Sequence, residues 1–325
     1  MNPKPNPEHD ADTASRRQRL HEKLRRDFGE VFMVALHDPR TIEILLNADG
    51  NLWQERLGEP MKVIGSMTAT RAESVMRTIA ACLDTTITRD KPTLEGELPL
   101  DGSRFAGQLP PIVSAPTFAV RKKASSVFTL GQYVEAGIMT EGQREAICDA
   151  VALHKNILVI GGTGTGKTTL TNAIIQQIVT HDSKERIFII EDTGEIQCVA
   201  ANCVTYHTTL EVSMTKLLRT TLRMRPDRIL VGEVRGPEAL DLLMAWNTGH
   251  EGGVATLHAN NALSGLSRLA MLISMHTECP KSIEPLIGEA VHIVIHIAKT
   301  PAGRRIQEIL EVSGYADGRY QTRII

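Results

Sequence analysis

Aromatic side chains make up only 4% of the 325 residues: two Trp, four Tyr and six Phe. That scarcity disfavours the stacked aromatic platforms on which single-stranded nucleic acid is held. A formal net charge of −2 excludes a global basic footprint, though not a local one. The five cysteines, Cys82, Cys148, Cys198, Cys203 and Cys279, are scattered, and none forms C-x-x-C. This reads as reduced thiols of a cytoplasmic protein rather than a disulfide framework. Cys198 and Cys203 are half of a metal set with no second half, so buried thiols are the simpler reading. No run approaches eighteen apolar residues and no apolar leader core follows Met1, so the chain reads as soluble and compatible with a peripheral membrane position.

What is present is ordinary globular material, 42% hydrophobic and 23% charged, long enough for two domains. Residues 1–14 are polar with three prolines and read as a disordered tail. A basic helix is expected from Ser15, with Arg16, Arg17, Arg19, Lys23, Arg25 and Arg26 beside an apolar stripe of Leu20, Leu24, Phe28, Val31 and Phe32. It either touches anionic lipid or docks on its own domain. An α+β pattern follows: a hairpin about Asp49-Gly50, a helix opened by Thr70-x-x-Glu73, a hairpin of Leu98–Leu100 and Arg104–Ala106 about Asp101-Gly102, and a strand over 117–120. This bounds an N-terminal α+β domain over 15–121 and a linker over 122–128. Thr129 and Thr140 read as helix caps, and strands expected at 156–160, 187–191, 203–206, 228–232, 253–257 and 291–297 alternate with helices. That alternation predicts a parallel sheet over 129–325, closed by a C-terminal hairpin from about Glu308.

The organising stretch is Gly161-Gly162-Thr163-Gly164-Thr165-Gly166-Lys167-Thr168, preceded by Ile157–Ile160 and followed by a helix-compatible run from Thr169. Strand, glycine loop, Lys-Thr and helix in that order form a phosphate cradle. Backbone N–H groups close on phosphate oxygens, the helix N-terminus adds positive charge, Lys167 serves the β- and γ-phosphates, and Thr168 offers a hydroxyl to Mg²⁺. Carboxylates follow two later strands, where an open α/β sheet binds ligands. Glu191-Asp192-Thr193-Gly194-Glu195 ends the first, and Glu191 and Asp192 are candidates for holding Mg²⁺, partly through water. Glu233 ends the second, with Gly232 standing where a Walker B motif usually has Asp. Glu233 either polarises the attacking water or pairs with Arg235. His250 and His258 bracket the next strand as sensors of phosphate state, as metal ligands or as core histidines. Arg219 and Arg223 lie four apart on a helix face that is solvated or ion-paired. Arg104 and Arg121 become γ-phosphate clamps if the first domain covers the nucleotide.

In sequence order, the P-loop, E-D-T-G-E, R-P-D-R-I-L-V-G-E-V-R-G and T-G-H-E-G-G-V-A-T-L-H-A-N resemble the four boxes of the secretion "traffic" ATPases. The likeness is strong over 128–325 and loose before it. Thr193-Gly194 departs from the pilus-type E-D-P-I-E and there is no tetracysteine insert, so the type IV secretion branch fits better. The resemblance implies a RecA-like ATPase domain preceded by a PAS-like domain, in a homo-hexamer on the cytoplasmic face of the inner membrane. It implies ATP and Mg²⁺ as cofactors, other conjugation components as partners, and no sequence-specific nucleic-acid binding. Carried over by residue, Lys167, Glu195, Glu233 and His258 with Arg104 and Arg121 form the catalytic set, and Gly161 to Thr169 the nucleotide cradle. The expected function is ATP hydrolysis driving conjugative pilus assembly and substrate transfer. The alternatives are a pilus or type II secretion motor, a RecA-like nucleic-acid motor, and a nucleotide-regulated scaffold.

Overall fold

A computed structural model describes residues 7–56, 59–123, 127–209 and 211–325, with side chains from 18 onward. It divides into two compact units, 1–125 and 126–325. Of the expected tail, 1–6 lie outside the described residues, while helix α1 (Pro7–His37) already covers 7–14. Part of the expected linker, 124–126, also lies outside them.

The first unit is a six-stranded antiparallel sheet in the order β3-β2-β1-β6-β5-β4, formed by Thr41–Leu46 (β1), Asn51–Arg56 (β2), Lys62–Ser66 (β3), Thr93–Glu97 (β4), Arg104–Gln108 (β5) and Thr117–Arg121 (β6). Helix α1 docks on its own unit: Leu24, Phe28 and Phe32 are buried in a core shared with Phe105 and Phe118. Gly29 breaks the helix at φ 78°, and Arg71 donates to the carbonyls of Arg26 and Asp27 there. Two expectations shift. The cap of helix α2 (Ala69–Cys82) is Thr68, whose hydroxyl accepts from the Arg71 N–H, so Thr70 lies inside the helix and Glu73 pairs with Arg77 instead. Leu98–Leu100 is turn rather than strand, because Leu98 is buried as a core plug and its N–H closes the turn onto Ser103. Strand β3 was not foreseen.

The second unit is an eight-stranded sheet, β14-β13-β12-β7-β11-β10-β8-β9. Six neighbours are parallel: Ile293–Thr300 (β12), Ile157–Ile160 (β7), Val254–Leu257 (β11), Arg228–Val231 (β10), Ile187–Glu191 (β8) and Cys203–His207 (β9). The C-terminal hairpin is longer than expected, since β13 (Gly303–Ala316) pairs back along β12 and then with β14 (Arg319–Ile324). Strand residues alternate between two cores. Leu158 and Ile160 face one that includes helices α7 (Glu238–Trp246) and α8 (Ala262–Ile273), while Ile157 and Val159 face one that includes α4 (Glu141–Ala152) and α5 (Lys167–His181). Burial on both faces is why these strands read as unbroken apolar runs. Thr129 and Thr140 cap α3 (Leu130–Glu135) and α4 with complete capping boxes.

The amino-terminal ends of these strands are pinned by polar groups. The buried Asn156 amide donates to the Ala290 carbonyl at 2.7 Å and accepts from the Gly252 and Gly253 N–H groups at 2.8 and 3.0 Å. The Asn156 backbone N–H donates to His292 Nδ1 at 2.9 Å. Beside it, fully buried Arg228 forks onto Glu185 and donates to the carbonyls of Gly252 and Val151.

Candidate functional site

The phosphate loop leaves β7 at Gly161 and enters α5 at Lys167. A Cβ on Gly161 would run into the Ile297 carbonyl oxygen, and Gly166 caps α5 at φ 100°, so both positions require glycine. The Lys167 ammonium is buried and donates to the carbonyls of Gly161 and Gly162 at 3.0 Å each. It lies 3.4 Å from the His258 ring nitrogens. Thr163 is exposed, and the Thr165 hydroxyl bonds Gly162 O at 3.0 Å within the loop. Thr168 and Thr169 are half-buried in the first turn of α5.

The carboxylates converge on this turn. Thr168 Oγ1 donates to Glu195 Oε2 at 3.2 Å. One oxygen of buried Glu191 accepts the N–H groups of Glu195 and Ile196, both at 3.0 Å, so Glu191 shapes the loop that presents Glu195. Asn172 on α5, which the sequence did not single out, holds the same loop through Gln197 N–H at 3.0 Å. Further along it the Cys198 thiol neighbours Cys203, and their interaction draws the Cys198 thiol below the usual thiol range.

Glu233 uses both oxygens. Arg235 donates to one at 2.6 Å and His258 Nε2 stands 2.9 Å from the other. Arg235 also reaches Asp192 at 3.3 Å, and Asp192 accepts from Thr208 at 2.8 Å. The result is a continuous chain of contacts, Asp192–Arg235–Glu233–His258–Lys167, in which Glu233 pairs with Arg235, one of its two sequence readings. Burial acts to raise the Glu233 carboxyl, but Arg235, His258 and Lys167 outweigh it and hold the group below the usual carboxylate range. Burial and the Lys167 charge push the His258 imidazole down and outweigh Glu233. At neutral pH the pair is therefore carboxylate and neutral imidazole.

Gly232 now has a reason. A Cβ there would lie 2.8 Å from the Glu191 Cβ, so the neighbouring strand fills the space of the usual aspartate. Restoring that residue with Gly232→Asp is expected to destabilise the second unit by about 1–3 kcal/mol through overpacking, and to lower turnover. Urea unfolding followed by the fluorescence of buried Trp246 in a Trp53→Phe background checks it; an unchanged midpoint would remove the steric explanation.

Some candidates fall elsewhere. His250 precedes β11 and His258 follows it, so they sit at opposite ends of the strand, and only His258 reaches the loop. Arg219 binds Asp241 and Glu278, and helix α6 (Met214–Thr221) ends before Arg223, so the two do not share a helix face. Arg104 and Arg121 are directly opposed cross-strand partners on β5 and β6 of the first unit. Among the described residues no three His, Cys, Asp or Glu side chains gather as a protein-built metal cage. A cation here would rest on Thr168, with Glu195 beside it, and on phosphate oxygens. Lys299 and Arg304, from β12 and β13, also flank the loop without having been foreseen.

The chain is 47% identical to the conjugal transfer protein TrbB of Rhizobium radiobacter over 94% of each chain. It is 33% identical to the type IV secretion system protein PtlH of Bordetella pertussis, over 85% of this chain and 90% of that one. The fold is similar to that of the Legionella pneumophila ATPase DotB, with a TM-score of 0.61 at 20% identity over 85% of this chain and 79% of that one. A model of the type II/IV secretion system proteins matches residues 32–311. The chain belongs to the type II/IV secretion system protein family, among its conjugal-transfer and type IV secretion members.

Proposed function

We propose that the chain is a Mg²⁺-dependent ATP hydrolase that works as a homo-hexamer on the cytoplasmic face of the inner membrane and powers conjugative pilus assembly and substrate transfer. The observation that carries the hydrolase reading is the unbroken contact from Lys167 through His258 to Glu233 beside the phosphate loop. Likeness to TrbB over nearly the whole chain supports the conjugative setting. The parallel sheet with its loop after β7 supports a RecA-like reading of the second unit, and the antiparallel sheet with α1 and α2 a PAS-like reading of the first.

Lys167 and the α5 N-terminus bind the β- and γ-phosphates. Thr168 Oγ1 would hold Mg²⁺, with Glu191 and Asp192 acting on it through water or loop shape. The ion would supply charge neutralisation at the phosphate oxygens. Glu233, held by two partners, orients water once the γ-phosphate draws His258 or Arg235 away and releases an oxygen. Glu195 is the second candidate for that role. Arg104 and Arg121, side by side, would clamp the γ-phosphate of a neighbouring subunit.

Phosphate release from ATP by the purified chain, with and without chelator, tests the reading, together with mass by light scattering in the presence of nucleotide. No turnover with Mg²⁺ present would sink the hydrolase and leave a nucleotide-regulated scaffold. Turnover that needs single-stranded DNA and falls steeply with salt would favour a nucleic-acid motor. No described helix is long and apolar enough to cross a membrane, so attachment to the inner membrane would be peripheral or through partners.

A further inference from the structure

The hydrolase reading uses one flank of the phosphate loop. Strand order gives the loop two flanks, because β7 lies between β11 and β12. Glu233 and His258 follow β10 and β11, and Lys167 faces His258, so on the hydrolase reading the γ-phosphate end of a nucleotide would point toward β11. The other flank is occupied by the β12–β13 hairpin, with Lys299 near the end of β12 and Arg304 near the start of β13. The Lys299 ammonium lies 3.4 Å from where a Cβ on Gly164 would stand. The Arg304 side chain passes 3.3 Å from the same position on Gly166, and its Nη2 is 3.4 Å from Gly164 O, at the long limit of a hydrogen bond. Arg304 Nε is buried without a hydrogen-bond partner. Among the described residues neither cation takes part in a carboxylate ion pair, although ion pairs are common elsewhere on the chain. Two cations thus flank the glycine loop, Arg304 with one buried donor unsatisfied and Lys299 exposed, on the side away from Glu233.

Resting on the hydrolase reading, we infer that the β12–β13 hairpin forms a second cationic subsite, in which Lys299 and Arg304 bind the α- and β-phosphates of the nucleotide. A buried guanidinium donor without a partner is costly and is satisfied by an anionic oxygen. The α- and β-phosphates are common to ATP and ADP, so this subsite holds substrate and product alike. It sets how long ADP stays after hydrolysis, whereas Lys167, His258 and Glu233 read the γ-phosphate. Lys299 and Arg304 are binding residues and take no part in bond cleavage.

The test measures the affinity of the full-length protein for ADP and for a non-hydrolysable ATP analogue by calorimetry, with turnover recorded in parallel. Variants are Lys299→Gln, Arg304→Ala, and the charge-keeping pair Lys299→Arg with Arg304→Lys. Arg304→Ala is expected to weaken both ligands by about tenfold or more, as removal of a charge-assisted bond should. The ratio of the two affinities stays at its wild-type value, and KM for ATP rises with the loss of affinity, the pattern of a lost uniform binding contact. Lys299→Gln, at an exposed side chain, gives the same pattern without risk to packing if Arg304→Ala fails to fold. The charge-keeping pair retains most of the affinity. Variants that bind both ligands like wild type overturn the inference, as does a loss confined to the ATP analogue, which would move the cations to the γ-phosphate. Wild-type protein that binds neither ligand overturns the hydrolase reading and this one with it; wild-type binding that the variants keep overturns this one alone.

Discussion

Glu233→Gln is expected to lower kcat for ATP by about 10²–10⁴, the span associated with loss of a positioned acid–base group. The substitution keeps shape and nearly keeps hydrogen bonding: one amide oxygen can still accept from Arg235 while the amide nitrogen meets His258. What it removes is the negative charge that Arg235, His258 and Lys167 stabilise. Binding should survive, because Lys167 and the loop N–H groups are untouched, so KM is expected to stay within about threefold. Phosphate release at saturating ATP reads the first quantity and its concentration dependence the second. Near wild-type kcat would transfer the role to Glu195, which already accepts from Thr168 at 3.2 Å, and Glu195→Gln would then carry the loss.

The largest effect on stability is expected far from the chemistry. Arg228 is wholly buried, with Glu185 as its carboxylate partner and two carbonyls beyond it. Arg228→Ala leaves Glu185 buried, with the His154 imidazole at 3.0 Å as its remaining ion-pair partner among the described residues. Breaking such a pair from one side costs about 3–5 kcal/mol, whereas replacing both partners with apolar residues is often neutral. The urea midpoint, followed through Trp246 in a Trp53→Phe background, is therefore expected to fall sharply for Arg228→Ala and to recover in Arg228→Met with Glu185→Leu. The double replacement failing as badly as the single would mean that the carbonyl bonds of Arg228, rather than the stranded charge, set the cost.

What was legible in the sequence was local. The glycine loop, its strand and its helix lie within one short stretch, so spacing alone pointed to Lys167 and Thr168 as candidates. Glu233 and His258 were legible because each follows an apolar strand, and parallel strands deliver such residues to one edge. Thr129 and Thr140 were legible because a capping box is complete within four residues. The rest depends on contacts across long separations. Arg304 reaches Gly164 over 140 residues, through the pairing of β12 with β7, and no spacing rule announces that. The reason for Gly232 is the Glu191 side chain on the adjacent strand. Thr68 was missed because Thr70 and Glu73 imitate the motif two residues downstream.

The Asn156 amide has a mechanical consequence. It joins the starts of β7 and β11 to the segment entering β12, and those three strands end in the phosphate loop, His258 and the cationic hairpin. Strands tied at one end resist sliding past one another but can still fan apart at the other. Four residues of strand make a lever of about 13 Å, so a 1 Å gap opening at the loop corresponds to only about 4° of splay. A change in nucleotide would then leave the sheet as an angle about a fixed base.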